Sequence, residues 1–97
     1  CDYGGPKNVQ VALENVTIMQ TNVMNTVAEC AAVVDRVARD NCKIMMDVFH
    51  MNIEEKDMFQ TIRDFASYNI HVHLCDNNRR YPGNCGLDFD KIIRAFK

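Results

Sequence analysis

The stretch "CKIMMDVFHMNIEE", residues 42–55, decides the fold. From Cys42 to Phe49 it is an apolar run broken only by Lys43 and Asp47, too apolar to face water on either side, as expected of a strand in a parallel sheet covered by helices. Polar residues then take over. Asn52 with Glu55 three residues on predicts the start of a helix whose stripe is Met58, Phe59, Ile62, Phe65 and Ala66. Asp47 and His50 therefore stand where a strand gives way to a helix. Glu54 and Glu55 read as first-turn acids complementing the helix dipole, with no catalytic role.

The same alternation repeats on both sides. Upstream, "NVQVALEN" (residues 8–15) sets Val9, Val11 and Leu13 against Gln10, Ala12 and Glu14, a strand pattern. Val27, Cys30, Ala31, Val34, Val37 and Ala38 then recur at helical spacing, and Thr26 with Glu29 forms a capping box, which predicts a helix over 26–40. Downstream, "NIHVHLCD" (69–76) alternates Ile70, Val72 and Leu74 with His71, His73 and Cys75, a third strand. The chain turns in "NNRRYPGNCG" (77–86), after which Asp88 caps a helix striped by Phe89, Ile92, Ile93 and Phe96. Three consecutive βα units imply an α/β fold with parallel strands joined by right-handed crossovers.

Composition narrows the function. Ninety-seven residues, 47% hydrophobic and 25% charged, make at most one small domain, and a net charge of −2 gives no electrostatic footprint for nucleic acid. No run approaches the ~20 apolar residues of a membrane span, and "CDYGGPKN" lacks the regions of a signal peptide, so a cytoplasmic setting is expected. The five cysteines are odd in number and lack C-x-x-C spacing, which argues against a disulfide framework or zinc knuckle and for mostly buried thiols. A start on Cys1 and a stop inside the helical "KIIRAFK" point to a piece of something longer.

If Val9, Val11, Leu13, Ile44, Met46, Val48, Ile70, Val72 and Leu74 face the helices, the opposite face carries Glu14, Asp47 and His73, each near the C-terminal end of its strand. Active sites of α/β sheets and barrels assemble there, because the βα loops converge at that end. Two carboxylates and an imidazole suit a divalent metal such as Mn²⁺, Mg²⁺ or Co²⁺. Taken singly, Asp47 could cap a loop, His73 could be a satisfied core histidine and Glu14 a solvated strand end; together they share one face and one end. Their separations of 33 and 26 residues each equal about one βα unit, so a fourth ligand is expected just past Lys97.

"LEN…NT" (Leu13 to Thr26), "DVFHMNIEE" (Asp47 to Glu55) and "HVHLCDNNRRYPGNCGLDF" (His71 to Phe89) resemble the sugar isomerase and epimerase superfamily of xylose-isomerase-like TIM barrels, most of all the ketose 3-epimerases of the tagatose and psicose type. The resemblance implies that residues 1–97 are a single partial domain, units five to seven of a (β/α)₈ barrel. It also implies that Glu14, Asp47 and His73 are three of four metal ligands, and that Glu14 is one of two catalytic glutamates passing a proton through a metal-held enediolate. By the same resemblance His50, in D-x-x-H, and Arg79, in "NNR", bind the sugar. The chain departs from the family at "TIMQ" (Thr17 to Gln20), where a substrate-binding carboxylate is usual, and it lacks the eighth strand with its glutamate.

A closed barrel takes about 200 residues or more, so three units leave two open sheet edges, and the inward-pointing Ala12, Met45 and His71 are expected to be exposed, covered by a partner chain or packed in a rearranged fold. The expected partners are a small sugar and, through those edges, a second copy or a complementing chain, with no nucleic acid and no membrane. Isolated, the piece is expected to be inactive for want of the second glutamate. Two other readings stand beside it: an endonuclease IV-like DNA-repair barrel, for which the histidines are too few and the charge is wrong, and a non-catalytic truncated or complementing fragment.

Overall fold

The computed structural model describes all 97 residues. Three strands, β1 (Val11–Glu14), β2 (Cys42–Asp47) and β3 (Asn69–His73), form one parallel sheet in the order β1-β2-β3. Between β1 and β2 the chain crosses through helix α1 (Val27–Val37); between β2 and β3 it crosses through α2 (Val48–Glu54) and α3 (Met58–Asp64). Helix α4 (Phe89–Ala95) follows β3 and packs beside α3. The α/β reading with three βα units holds.

The helices cover one face of the sheet. Its core joins Val27, Cys30, Ala31 and Val34 of α1 to Ile44 and Met46 of the central strand, with Val48, Met51, Met58, Ile62 and Ile92 from the later helices. At about 25 cal/mol per Å² of apolar surface removed from water, each of the buried Val, Ile and Met side chains contributes roughly 1.5–3 kcal/mol. On the other face Ala12 and His71 are exposed and Met45 is half-buried, so the inner surface is open, as expected. Both edge strands leave apolar residues in solvent: Val11 and Ile70, with Leu74 just past β3, are about two-fifths exposed.

The element boundaries differ from the sequence expectation in physically instructive ways. Strand β1 is shorter than 8–15 because the Val9 N–H turns back to the Gly4 carbonyl at 3.0 Å, and pairing begins only at Val11. Helix α1 has the expected box, the Thr26 hydroxyl accepting from the Glu29 N–H and Glu29 from the Thr26 N–H. It stops at Val37 because Ala38 enters the left-handed region at φ 49°.

The largest correction concerns 47–66. Helix begins not at Asn52 but at Val48, because the Asp47 carboxylate accepts from the N–H groups of Phe49 (2.9 Å) and His50 (3.2 Å) and caps α2 directly at the strand end. At Glu55 the backbone becomes extended, and Asp57 caps a separate α3 by accepting from the Gln60 N–H. Glu54 and Glu55 thus end one helix rather than open another. Glu55 reaches across to accept from the N–H of Val27 (2.8 Å) and the hydroxyl of Thr61 (3.1 Å), which ties the start of α1 to α3. The thiols also differ from expectation: Cys30 and Cys42 are buried, Cys1 and Cys75 half-buried and Cys85 exposed, all five unpaired.

Candidate functional site

The parallel register sets the geometry. Asp47 and His73 are direct partners across β2 and β3, and Glu14, opposite Met45, ends β1 on the same rim. The three side chains meet: His73 Nδ1 lies 3.4 Å from Glu14 Oε1 and 3.5 Å from Asp47 Oδ2. Capping of α2 uses Asp47 Oδ1, which leaves Oδ2 free to face His73. Next to it, the fully buried Asn15 accepts the Asp47 N–H at 3.1 Å, while its own Nδ2 finds no partner.

His50 and Arg79 stand on the same rim. His50 is 2% exposed, and its Nδ1 accepts from the Thr17 N–H at 3.2 Å. A backbone N–H can only donate, so in the neutral ring the proton sits on Nε2. That atom lies 3.3 Å from Arg79 Nη1 and 3.9 Å from Asp47 Oδ2. Two donors, Nε2–H and the guanidinium, therefore converge on one space, where an oxygen acceptor would satisfy both. The guanidinium is steadied from behind by the Phe49 ring, 4.5 Å from its centroid.

Two triads share the carboxylate pair. Glu14, Asp47 and His50 have ligand atoms within 4.8 Å of one another, and in the second set His73 Nδ1 stands 3.4 and 3.5 Å from the same two carboxylates. The two imidazoles differ in their hydrogen bonding. Both ring nitrogens of His50 are committed, Nδ1 to Thr17 and Nε2 to its proton, whereas His73 aims Nδ1 straight at both carboxylates. A divalent cation fits this donor set: Asp47 is buried, no lysine or arginine pairs with either acid, and an uncompensated buried charge costs several kcal/mol.

All five residues expected from the sequence lie on one rim, but three that shape it were missed there. Glu54 accepts from the Thr17 hydroxyl and the Ile18 N–H, each at 2.7 Å, which hold its carboxyl below the usual range. It thereby pins the loop that delivers the Thr17 N–H to His50. Asn15 orients Asp47. Asp76, fully buried at the head of the loop carrying Arg79, is the third; an Asp opening a Gly-, Pro- and Asn-rich loop was the available signal. The largest cavity, about 580 Å³ beside Glu55, Lys56, Asp57 and Leu87, lies away from this rim and gathers none of its residues.

Comparison with known proteins agrees with the architecture. A family profile described as xylose isomerase-like TIM barrel matches residues 1–97. The ketose 3-epimerase of Arthrobacter globiformis is 38% identical over 94 residues, 97% of this chain and 32% of that protein. The D-psicose 3-epimerase of Agrobacterium fabrum is 34% identical over 96 residues, 99% of this chain and 33% of that protein. Among solved structures, a 3-keto-D-glucoside 4-epimerase from Escherichia coli superposes with a TM-score of 0.93 at 30% identity, over 97% of this chain and 36% of that one. A D-psicose 3-epimerase in the presence of D-fructose gives 0.92 at 34% identity, over 97% and 32%. This chain spans about a third of the length of these relatives. With the profile covering every residue and the strands, register and helices of such barrels in place, the chain belongs to the xylose isomerase-like TIM barrel family.

Proposed function

We propose that residues 1–97 are consecutive βα units, the fifth to seventh, of a ketose 3-epimerase in which Glu14, Asp47 and His73 hold a divalent cation, Mn²⁺, Mg²⁺ or Co²⁺. The observation that carries this reading is the approach of His73 Nδ1 to both carboxylates at 3.4 and 3.5 Å. When bound there, the cation supplies a Lewis acid for the ketose carbonyl. Glu14, half-exposed at the end of β1, takes the proton from the carbon beside that carbonyl. His50 Nε2–H and Arg79 donate to sugar oxygens from the far side of Asp47, which fixes the orientation of the substrate. Relatives solved in the presence of D-fructose and in complex with D-allulose support a free ketose as partner.

Inverting a carbon needs a second acid on the opposite face, and these residues do not supply one. Glu54 is saturated by Thr17 and Ile18, and Asp76 by backbone N–H groups, so neither can exchange a proton with a sugar. The second glutamate belongs to a further strand that pairs with the open edge of β3, while the preceding strand of the barrel pairs with that of β1. Without it the 97 residues are inactive and pair through those edges with a second copy or a complementing segment. The open inner face supports that partnering, and a cytoplasmic setting suits the free thiols. An endonuclease reading is not favoured, since the relatives above are sugar epimerases.

The test pairs Mn²⁺ titration calorimetry of the wild type and the H73A variant with a C3 epimerisation assay on fructose and tagatose. Stoichiometric binding lost in H73A, with turnover only when the rest of the barrel is present, is expected. Equal Mn²⁺ binding by H73A would refute the ligand set, and robust turnover by the 97 residues alone would refute the missing acid.

A further inference from the structure

The segment from Asp76 to Leu87 joins β3 to α4 and carries Arg79, yet it contains no regular structure. One carboxylate organises it. Asp76 Oδ1 accepts from the N–H groups of Asn77 (2.8 Å), Gly86 (3.0 Å) and Leu87 (3.1 Å), and Oδ2 from those of Gly83 (3.1 Å) and Cys85 (2.8 Å). The Asp76 carbonyl accepts the Arg79 N–H at 2.8 Å, and the Asp76 N–H donates to the Arg80 carbonyl at 2.9 Å. Between these two bonds Arg79 sits at φ 62°, a left-handed conformation unfavourable for a side chain of its kind. Burial pushes the Asp76 carboxyl up, but the N–H donors of Cys85, Leu87, Asn77 and Gly86 outweigh it and hold the group low, so it stays an acceptor.

We propose that Asp76 is a positioning residue for Arg79: by drawing the N–H groups of Asn77, Gly83, Cys85, Gly86 and Leu87 onto one carboxylate, it closes the loop and holds Arg79 in the left-handed turn. From there the guanidinium lies over Phe49 and 3.3 Å from His50 Nε2. Asp76 touches no substrate; its effect on sugar affinity runs through Arg79. The substrate readout rests on the ketose reading above, and the loop readout does not. Charge-assisted bonds from five backbone donors make Asp76 hard to replace. Asn in its place keeps one acceptor oxygen and turns an NH₂ toward donors.

The experiment uses the full protein with the variants D76N, R79A, D76N/R79A and G83A. Gly83 has φ 83° and open space where a Cβ would go, so Ala there strains the loop without touching the core and serves if D76N does not fold. In the wild type the amides of Gly83, Cys85, Gly86 and Leu87 are expected to exchange at least ~100-fold more slowly than free-loop amides, although three of these residues are exposed. The backbone order parameter of Arg79 should fall from about 0.85 to below about 0.6 in D76N, with a smaller drop in G83A. D76N should raise the KM for fructose or tagatose about tenfold with kcat little changed, the double variant should be no worse than R79A, and Mn²⁺ affinity should hold within about threefold. Free-loop exchange in the wild type, an unchanged Arg79 order parameter in the variants, or multiplicative effects in the double variant would each overturn the proposal. If the wild type converts no ketose, the functional reading fails, and exchange and order parameters alone decide the role of Asp76.

Discussion

Replacing Asp47 by Asn separates the two tasks this residue performs. As the cap of α2 it uses Oδ1, which accepts from Phe49 and His50, and Asn caps a helix as well as Asp does. In the proposed metal site it uses Oδ2, which Asn replaces with a nitrogen that cannot bind a cation. Without metal Oδ2 faces imidazoles and no Lys or Arg, so D47N should be neutral or stabilising by up to about 1 kcal/mol. With metal the order reverses. At a free Mn²⁺ concentration of about 100 times the wild-type Kd, binding stabilises the wild type by about 2.7 kcal/mol, and a variant binding about 100-fold more weakly by only about 0.4 kcal/mol. The two unfolding curves should therefore cross: D47N equal or ahead in chelator, behind by roughly 2 kcal/mol in Mn²⁺. D47A loses the cap as well and should fall behind in both conditions, by about 1 kcal/mol in chelator. Urea denaturation of all three proteins, with chelator and with Mn²⁺, measures this. Equal gains from Mn²⁺ in the wild type and D47N would show that Oδ2 holds no cation, whatever the assay of activity says.

Three further outcomes follow from the same geometry. H73A should lose at least ~100-fold in Mn²⁺ affinity, whereas H50A should change it by less than about tenfold while costing roughly 2 kcal/mol of stability, because it opens a cavity and orphans the Thr17 N–H. Calorimetry giving the reverse ranking would move the metal to the His50 triad. Glu54 is held below its ordinary 4.5 by Thr17 and Ile18, so the stability it contributes is whole above that pH and drains as pH falls through its lowered value. E54Q should flatten that acid limb in a pH series of denaturation midpoints, and an unchanged limb would count against the link. Burial pushes the Cys30 thiol up to about 11, so iodoacetamide at pH 8 should label Cys85 first and leave Cys30 unmodified in the native protein, as read by peptide mass spectrometry.

The architecture was legible because period is a local property: "CKIMMDVF" is a near-continuous apolar run, as strands of parallel sheets often are, although helices cover only one of its faces here. The rim followed from it, since strands in parallel register place their last residues side by side, and Glu14, Asp47 and His73 each come at or beside a strand end. What the sequence hid is long-range hydrogen bonding by acids with two plausible local roles. Asn52 and Glu55 match the helix-start pattern, yet Asp47 is nearer the strand and caps first, which shifts the helix by four residues and sends Glu55 to the Val27 N–H instead. Glu54 shows the same ambiguity, as its partners Thr17 and Ile18 lie 37 and 36 residues away. Asp76 carries no mark in the sequence because its donors are backbone N–H groups, which every residue but proline possesses and no spacing pattern singles out. The meeting of side chain with side chain was visible in the order of residues. The loops that aim those side chains are held by side chains meeting backbone, and that part of the site becomes readable only once the chain is folded.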